Sequence, residues 1–319
     1  MGVNMERFEK ICLLKWFKMD LKDLEKYHLD LRKYKYENNI PMKNIKTRNF
    51  FHTPLVKVVM LDRLASKEKL VVLSDERENR KGKNPKIFAC SHIGGKDIER
   101  AFEAFKDPAY LLFGDPGEVY RNEVGLILFL NGGINVETRN KEDRKIAKAR
   151  CLEVLNNGGN LLIYPEGAWN ITDNLPVMKF YTGAVDMAIQ TGAEIIPIGM
   201  EQYDDTYYVR IGKEISYKGH TLDEKRELTD ELRDTIATLK WRIWESFPSV
   251  DRADINEEYR EKFAQFIVDK CALGYTVQDV IDTRFHDKNV TEPEEVYAPV
   301  RKLTPNKNNA FLFNKNLKG

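Results

Sequence analysis

Residues 86–105, KIFACSHIGGKDIERAFEAF, hold the change of pattern that decides the fold. Lys86 to Cys90 is a short apolar β-type run. Ile98, Ala101, Phe102 and Phe105 then recur at three- and four-residue spacing, the period of a helix with one buried face. Between the two lie Ser91, His92, Ile93, Gly94, Gly95, Lys96 and Asp97. On one continuous helix, a His and an Asp five residues apart would point about 140° apart. With His92 closing a strand, Gly94 and Gly95 open to unusual dihedrals, and Asp97 in the first helical turn, the carboxylate can fold back on the imidazole. An Asp held to one ring nitrogen fixes the tautomer and leaves the other nitrogen as a general base near neutral pH. The pair has no serine nucleophile beside it in this pattern, so the nucleophile it activates is expected to come from a substrate.

Working outward, the same alternation of short apolar runs and helical patterns holds from about residue 70 to 217, the texture of an α/β domain. Strands are expected at Leu70 to Leu73, Lys86 to Cys90, Ala109 to Phe113, Ile134 to Glu137, Asn160 to Tyr164, Glu194 to Ile198 and Tyr207 to Ile211. They are apolar on both faces, as when helices cover both sides of a sheet. One helix is expected between Asn140 and Leu155, ending at Asn156-Asn157-Gly158-Gly159, and a second from about Val177 to Gln190, stopped by Gly192. Past residue 218 the strands cease. Thr221 and Glu224 have capping-box spacing, and Leu228, Leu232, Ile236, Leu239, Ile243 and Phe247 keep helical spacing up to Pro248. A further helix is expected from Ile255 to about Ala272, with Tyr259, Phe263, Phe266 and Ile267 inward. From about Thr291 the chain reads as an extended or loose tail. No internal repeat is present.

Residues 5–36 form an amphipathic pattern, with Phe8, Ile11, Leu14, Phe17, Leu21 and Leu24 on one stripe and Lys10, Lys15, Lys18, Lys22 and Lys26 between them. Two readings of this stripe stand side by side: a helix packed on the main domain with a solvated lysine face, or a helix resting on an anionic bilayer. The expected division is 1–60 as an N-terminal amphipathic helical segment, 61–217 as the α/β domain and 218–319 as a helical C-terminal extension with a loose tail.

Composition narrows the classes of function. The 319 residues are 42% hydrophobic with a net charge of +1 and a pI near 7.6, which gives no global electrostatic reason to bind nucleic acid. Cys12, Cys90, Cys151 and Cys271 form no CxxC pair, so neither a disulfide framework nor a zinc site is suggested, and a reducing cytoplasm is the simplest compartment. No apolar run approaches the roughly 18 residues of a spanning helix, and Lys10 and Lys15 break the N-terminal apolar stretch, against a signal peptide.

Further blocks follow His92 and Asp97 in order: Gly133-Ile134-Asn135-Val136-Glu137-Thr138-Arg139, then Tyr164-Pro165-Glu166-Gly167, then Ile195-Ile196-Pro197-Ile198. Their order and spacing, from about Phe88 to Met200, resemble the four blocks of the lysophospholipid (1-acylglycerol-3-phosphate) acyltransferases. His92 and Asp97 match the HxxxxD block, Arg139 the arginine closing the second, Glu166 and Gly167 the PEG block, and Pro197 the apolar-proline block. Gly183-Ala184 also resembles the small-residue pair after the third block.

The resemblance implies an α/β fold with a mixed sheet flanked by helices. It implies a histidine base that deprotonates an acceptor hydroxyl, which attacks an acyl-CoA or acyl-carrier-protein thioester without a covalent acyl-enzyme. The acceptor is expected to be lysophosphatidic acid or a related glycerolipid, bound through Arg139, Glu166 and Gly167. The guanidinium suits a phosphate and the carboxylate a glycerol hydroxyl. No metal or bound cofactor is implied. The protein is expected at a membrane surface, cytoplasmic and peripheral to the inner face of the cell membrane.

The chain departs from the family pattern in places. Ser91 and Gly94 stand where Asn and Ser are usual, Ala168-Trp169-Asn170 follows Gly167 where Thr and Arg are usual, and Tyr181 and Thr182 replace basic residues before Gly183. An acceptor without phosphate is therefore kept as an alternative, with Trp169 stacking on a sugar or lining an acyl groove. Two rivals remain: a thiol hydrolase pairing Cys90 with His92, which share one face of a strand, and a non-catalytic peripheral lipid-binding protein.

Overall fold

The computed structural model describes residues 18–42, 45–80, 82, 84–114, 117–121, 132–172, 175–248, 258–270 and 274–285. All of these but Phe285 belong to one compact unit ending at Arg284. The sheet grows from strand β2, Lys86–Cys90, every residue of which is buried. Ile87 and Ala89 face one way, Phe88 and Cys90 the other, because successive side chains alternate across a strand. Both faces are apolar, so both must be covered.

The other strands are β1 (Lys69–Asp75), β3 (Tyr110–Gly114), β4 (Gly133–Val136), β5 (Leu161–Ile163), β6 (Glu194–Tyr203) and β7 (Thr206–Ile211). They form a sheet of order β1-β7-β6-β2-β5-β3-β4. β6, β2, β5, β3 and β4 run parallel, while β7 returns antiparallel to β6 and carries β1. The expected mixed sheet is thus present, and its strands fall within a residue or two of their predicted positions except β6. That strand runs on to Tyr203 and turns at Asp204, in the left-handed region at φ 51°, straight into β7.

One face of the sheet is covered by α4 (Lys141–Asn156), α5 (Gly183–Thr191) and α6 (Lys225–Trp244). Val154, Leu155, Val185, Ala188, Leu232 and Ile236 pack there with Ile87, Ala89, Leu161 and Ile195. The other face is covered by α3 (Asp97–Phe105), whose Ala101, Phe102 and Phe105 meet Phe88, Cys90, Leu162, Ile196 and Val209. Phe88 and Phe105 stack at 4.0 Å.

Several sequence expectations are corrected. α5 begins at Gly183 instead of Val177, because the segment before it is engaged elsewhere. Glu166 takes the Met178 N–H, Asn170 donates to the Leu175 and Pro176 carbonyls, and the Tyr181 N–H goes to the Pro165 carbonyl. α6 begins at Lys225. Thr221 is not its cap; instead its N–H and hydroxyl both donate to Glu224 in a turn ahead of the helix. In helix α7, Tyr259–Asp269, Tyr259 and Phe266 are 45% and 54% exposed, and Ala264, Ile267 and Val268 form the buried face. Lys270 lies over the exposed Phe266 ring.

The described part of the N-terminal stripe packs on protein. In α1, Leu21–Glu37, Leu24 is buried, His28 stacks on Tyr120 at 3.5 Å, and Arg32 grips Asp143 of α4 through two bonds of 2.9 and 2.7 Å. A second helix, α2 (Ile45–Ala65), crosses the expected 60/61 division and joins α3 through Arg63–Glu103 and Asp62–Arg100. Phe8, Ile11, Leu14 and Phe17, Cys12 and Cys271, and the tail from Thr291 lie outside the described residues. No described helix is long and apolar enough to cross a membrane.

Candidate active site

His92 stands two residues beyond β2, where the chain leaves the sheet. Ser91 fixes the exit: its hydroxyl accepts the Met200 N–H at 2.9 Å and donates to the Met200 carbonyl at 3.3 Å. Gly94 and Gly95 then take φ values of 82° and 63°, which reverse the chain so that Asp97 opens α3. A Cβ on Gly94 would also meet Ile267 at 2.8 Å, so this turn needs glycine twice over.

The turn delivers the expected pair. Asp97 Oδ2 lies 2.7 Å from His92 Nδ1 and also accepts the Ile93 and Gly94 N–H groups at 2.9 Å each. A buried oxygen that accepts from two backbone donors is best complemented by a third, so Nδ1 carries the proton and Nε2 keeps its lone pair. Asp97 is fully buried, and the His92 side chain is 14% exposed. The imidazole is sandwiched by rings: Tyr164 stacks at 4.1 Å and Trp169 meets it edge-on at 6.2 Å. The Tyr164 hydroxyl is buried, and burial holds its pKa well above the usual phenol value.

Glu166 follows β5 and is 0% exposed. Its Oε1 accepts the His92 N–H and its Oε2 the Met178 N–H, both at 2.8 Å. Burial pushes its carboxyl pKa up, and Lys240 and the two backbone donors oppose that shift. In this arrangement the carboxylate serves the backbone of the His92 loop, not an open pocket. Asn170 completes the clamp from the same loop by donating its N–H to the His92 carbonyl at 2.8 Å. Gly167, at φ 73°, sits beneath Tyr181, whose ring leaves no room for a Cβ.

Arg139 is placed differently. It follows β4 at the far end of the same carboxyl edge, is 54% exposed, and donates to Asp279 at 3.2 Å with Asp282 at 3.7 Å. Those carboxylates belong to α8, Val277–Thr283. Pro197 lies within β6 opposite Ala89, and Gly183-Ala184 opens α5. His92, Arg139 and Glu166 therefore follow parallel strands at their carboxyl ends, where open α/β sheets bind ligands.

Cys90 points into the α3 face beside Phe88, and burial holds its thiol well above the ordinary value. A thiol kept protonated is a poor nucleophile, which weighs against the thiol-hydrolase reading. Among the described residues, no group of His, Cys, Asp and Glu has the arrangement of a metal site.

Sequence reasoning missed Ser91 and Asn170 as clamps, Tyr164 as a stacking partner, and α7 and α8 as neighbours of the site. Asp279 and Asp282 did carry a signal, since residues three apart share a helix face. Nothing local to them pointed to Arg139.

A family model described as Acyltransferase matches residues 71–201. The chain is 27% identical over 171 residues to a 1-acyl-sn-glycerol-3-phosphate acyltransferase of Borreliella burgdorferi, a match covering 50% of this chain and 67% of that one. It is 26% identical over 169 residues to the alpha 1-acyl-sn-glycerol-3-phosphate acyltransferase of Mus musculus, covering 49% and 58%. The match therefore spans roughly three fifths to two thirds of those relatives. The solved PlsC 1-acyl-sn-glycerophosphate (LPA) acyltransferase of Thermotoga maritima shares the fold, with a TM-score of 0.50 at 14% identity over 77% of this chain and 99% of that one.

Residues 71–201 carry an acyltransferase domain, and the chain is an enzyme of that class. The relatives it resembles there are 1-acyl-sn-glycerol-3-phosphate acyltransferases.

Proposed function

We propose that this enzyme moves a fatty acyl group from an acyl-CoA or acyl-carrier-protein thioester to the free hydroxyl of lysophosphatidic acid or a related glycerol phosphate lipid. The observation that carries the reading is the 2.7 Å contact of His92 Nδ1 with an Asp97 oxygen already held by two N–H groups. His92 Nε2 removes the hydroxyl proton as the acceptor oxygen attacks the thioester carbonyl. The C–S bond then breaks, and the departing thiolate takes the proton back from the imidazolium. Arg139 meets the acceptor's phosphate, and Glu166 acts by holding the His92 backbone. His92→Ala is expected to lower transfer roughly 10²- to 10⁴-fold with the fold intact. A folded variant that kept more than about a tenth of wild-type activity would refute the mechanism.

An acceptor without phosphate is the second reading. It is favoured by the Arg139 ion pairs with Asp279 and Asp282 and by Trp169 standing where the family places an arginine. Mass-spectrometric transfer assays with phosphorylated and unphosphorylated acceptors and both donor types separate the two.

We further propose attachment at the cytoplasmic surface of the cell membrane, where such acceptors reside. Support comes from α2 and β1, which expose Val58, Met60, Leu61, Leu64, Val71, Val72 and Leu73. An apolar stripe of this kind suits an interfacial helix. Liposome co-sedimentation of Leu61→Ser/Leu64→Ser should show weaker binding; unchanged binding removes this surface from the role.

A further inference from the structure

α7 and α8 return across the carboxyl edge of the sheet. Ile267 fills the space over Gly94, Trp169 and Tyr275 meet edge-on at 5.4 Å, and the Tyr181 hydroxyl donates to the Thr283 carbonyl at 2.9 Å. At the outer end of this cover, α8 turns two carboxylates toward Arg139, one helical turn apart on one face.

Neither carboxylate is placed casually. Asp279 Oδ2 accepts the Thr276 N–H at 3.0 Å and hydroxyl at 2.6 Å, a capping box that leaves Oδ1 for the guanidinium. Asp282 Oδ1 accepts from the Gln278 amide at 2.7 Å, leaving Oδ2 toward Arg139. In this pairing one positive charge faces two negative ones, with the Arg144 guanidinium close by on the Thr138 carbonyl.

We propose that Asp279 and Asp282 are specificity-determining residues that compete with the acceptor's phosphate for Arg139. The inference rests on the headgroup reading of Arg139. A phosphomonoester reaching Arg139 must displace both carboxylates or sit beside them against their repulsion, and an unphosphorylated acceptor meets no such penalty. The three side chains are about half exposed, and ion pairs of that exposure are weak and screened by salt. The competition therefore tunes acceptor preference by a modest factor instead of closing the site.

The test is affinity of the full chain for lysophosphatidic acid and for the monoacylglycerol of the same acyl chain, each in neutral detergent micelles at low and high salt. Asp282→Asn should bind lysophosphatidic acid about two- to threefold more tightly, and Asp279→Asn/Asp282→Asn about three- to tenfold, with a smaller gain at high salt. Monoacylglycerol affinity should not follow. Asp279→Asn also loosens the Thr276 cap, so thermal melts accompany each variant, and Asp282→Asn alone decides the matter if the double variant is unfolded. Unchanged lysophosphatidic acid affinity, or an equal gain for both lipids, overturns the inference. If Arg139→Ala weakens lysophosphatidic acid binding while the Asp variants do nothing, the headgroup reading stands and the competition falls. Indifference to Arg139→Ala, or no binding by any variant, overturns both.

Discussion

At one end of the carboxyl edge, Asp97 is fully buried and one of its oxygens serves His92 and two backbone N–H groups, while Glu166 and Asn170 hold the His92 backbone from both sides. At the other end, Arg139 reaches half-exposed carboxylates at 3.2 and 3.7 Å. The first arrangement is over-determined, because removing any member strands a buried polar group whose desolvation is costly. The second is replaceable, since exposed ion pairs of this kind are worth about 0–1 kcal/mol. On the proposed reading, the chemistry falls to the rigid end and headgroup recognition to the soft one.

The sharpest break in that contrast is Asp97→Asn. An amide at this position disturbs the three-donor arrangement and removes tautomer control. Transfer should fall by roughly 10²- to 10⁴-fold, measured as kcat/KM with a fixed acyl donor. Activity within tenfold of wild type would mean the pair does not act as a base. Glu166→Ala comes next. It leaves the His92 and Met178 N–H groups without their acceptor, and at about 1–3 kcal/mol each the loss of stability in urea denaturation should total about 2–6 kcal/mol. Glu166→Gln, with one acceptor oxygen left, should fall between.

Glu99 sharpens the same end through pH. Burial, with the neighbouring Asp97 charge adding, raises its carboxyl from 4.5 to about 7. A carboxyl whose folded pKa exceeds its unfolded one binds its proton more tightly when folded. The stability it confers is complete below pH 4.5 and disappears as pH rises to about 7. Thermal melts between pH 5 and 8 should therefore fall more steeply for wild type than for Glu99→Gln, and identical slopes would show that Glu99 does not titrate there. The smallest expected effect is at the soft end. Arg139→Ala should shift stability by under about 1 kcal/mol, in keeping with exposed pairs, and a larger loss would move Arg139 into the structural framework.

The sheet was legible because its strands are short apolar runs bounded by Gly, Pro and Asn, and because burial on both faces leaves few alternative registers. His92 and Asp97 were legible for a related reason: a strand end, two glycines and a helix start leave little freedom between them. The limits appeared where tertiary bonds override local pattern. The run from Val177 has helical spacing, yet Glu166 and Asn170 draw its backbone groups away before a helix can form. Tyr259 and Phe266 look like core residues, but the site offers Trp169 to the Ala264, Ile267 and Val268 face instead. The Arg139 pairing joins residues 140 positions apart, and no periodicity carries such a contact.

The clamp on His92 also bears on how such an enzyme can change over time. Because the 165–170 segment supplies both the acceptor for the His92 N–H and the donor for its carbonyl, the two loops behave as a single heritable module. A chimaera that took only the first loop from a distant relative would inherit His92 without its frame. Transplanting both together should preserve turnover, so drift in one loop is permitted only as far as the other drifts with it.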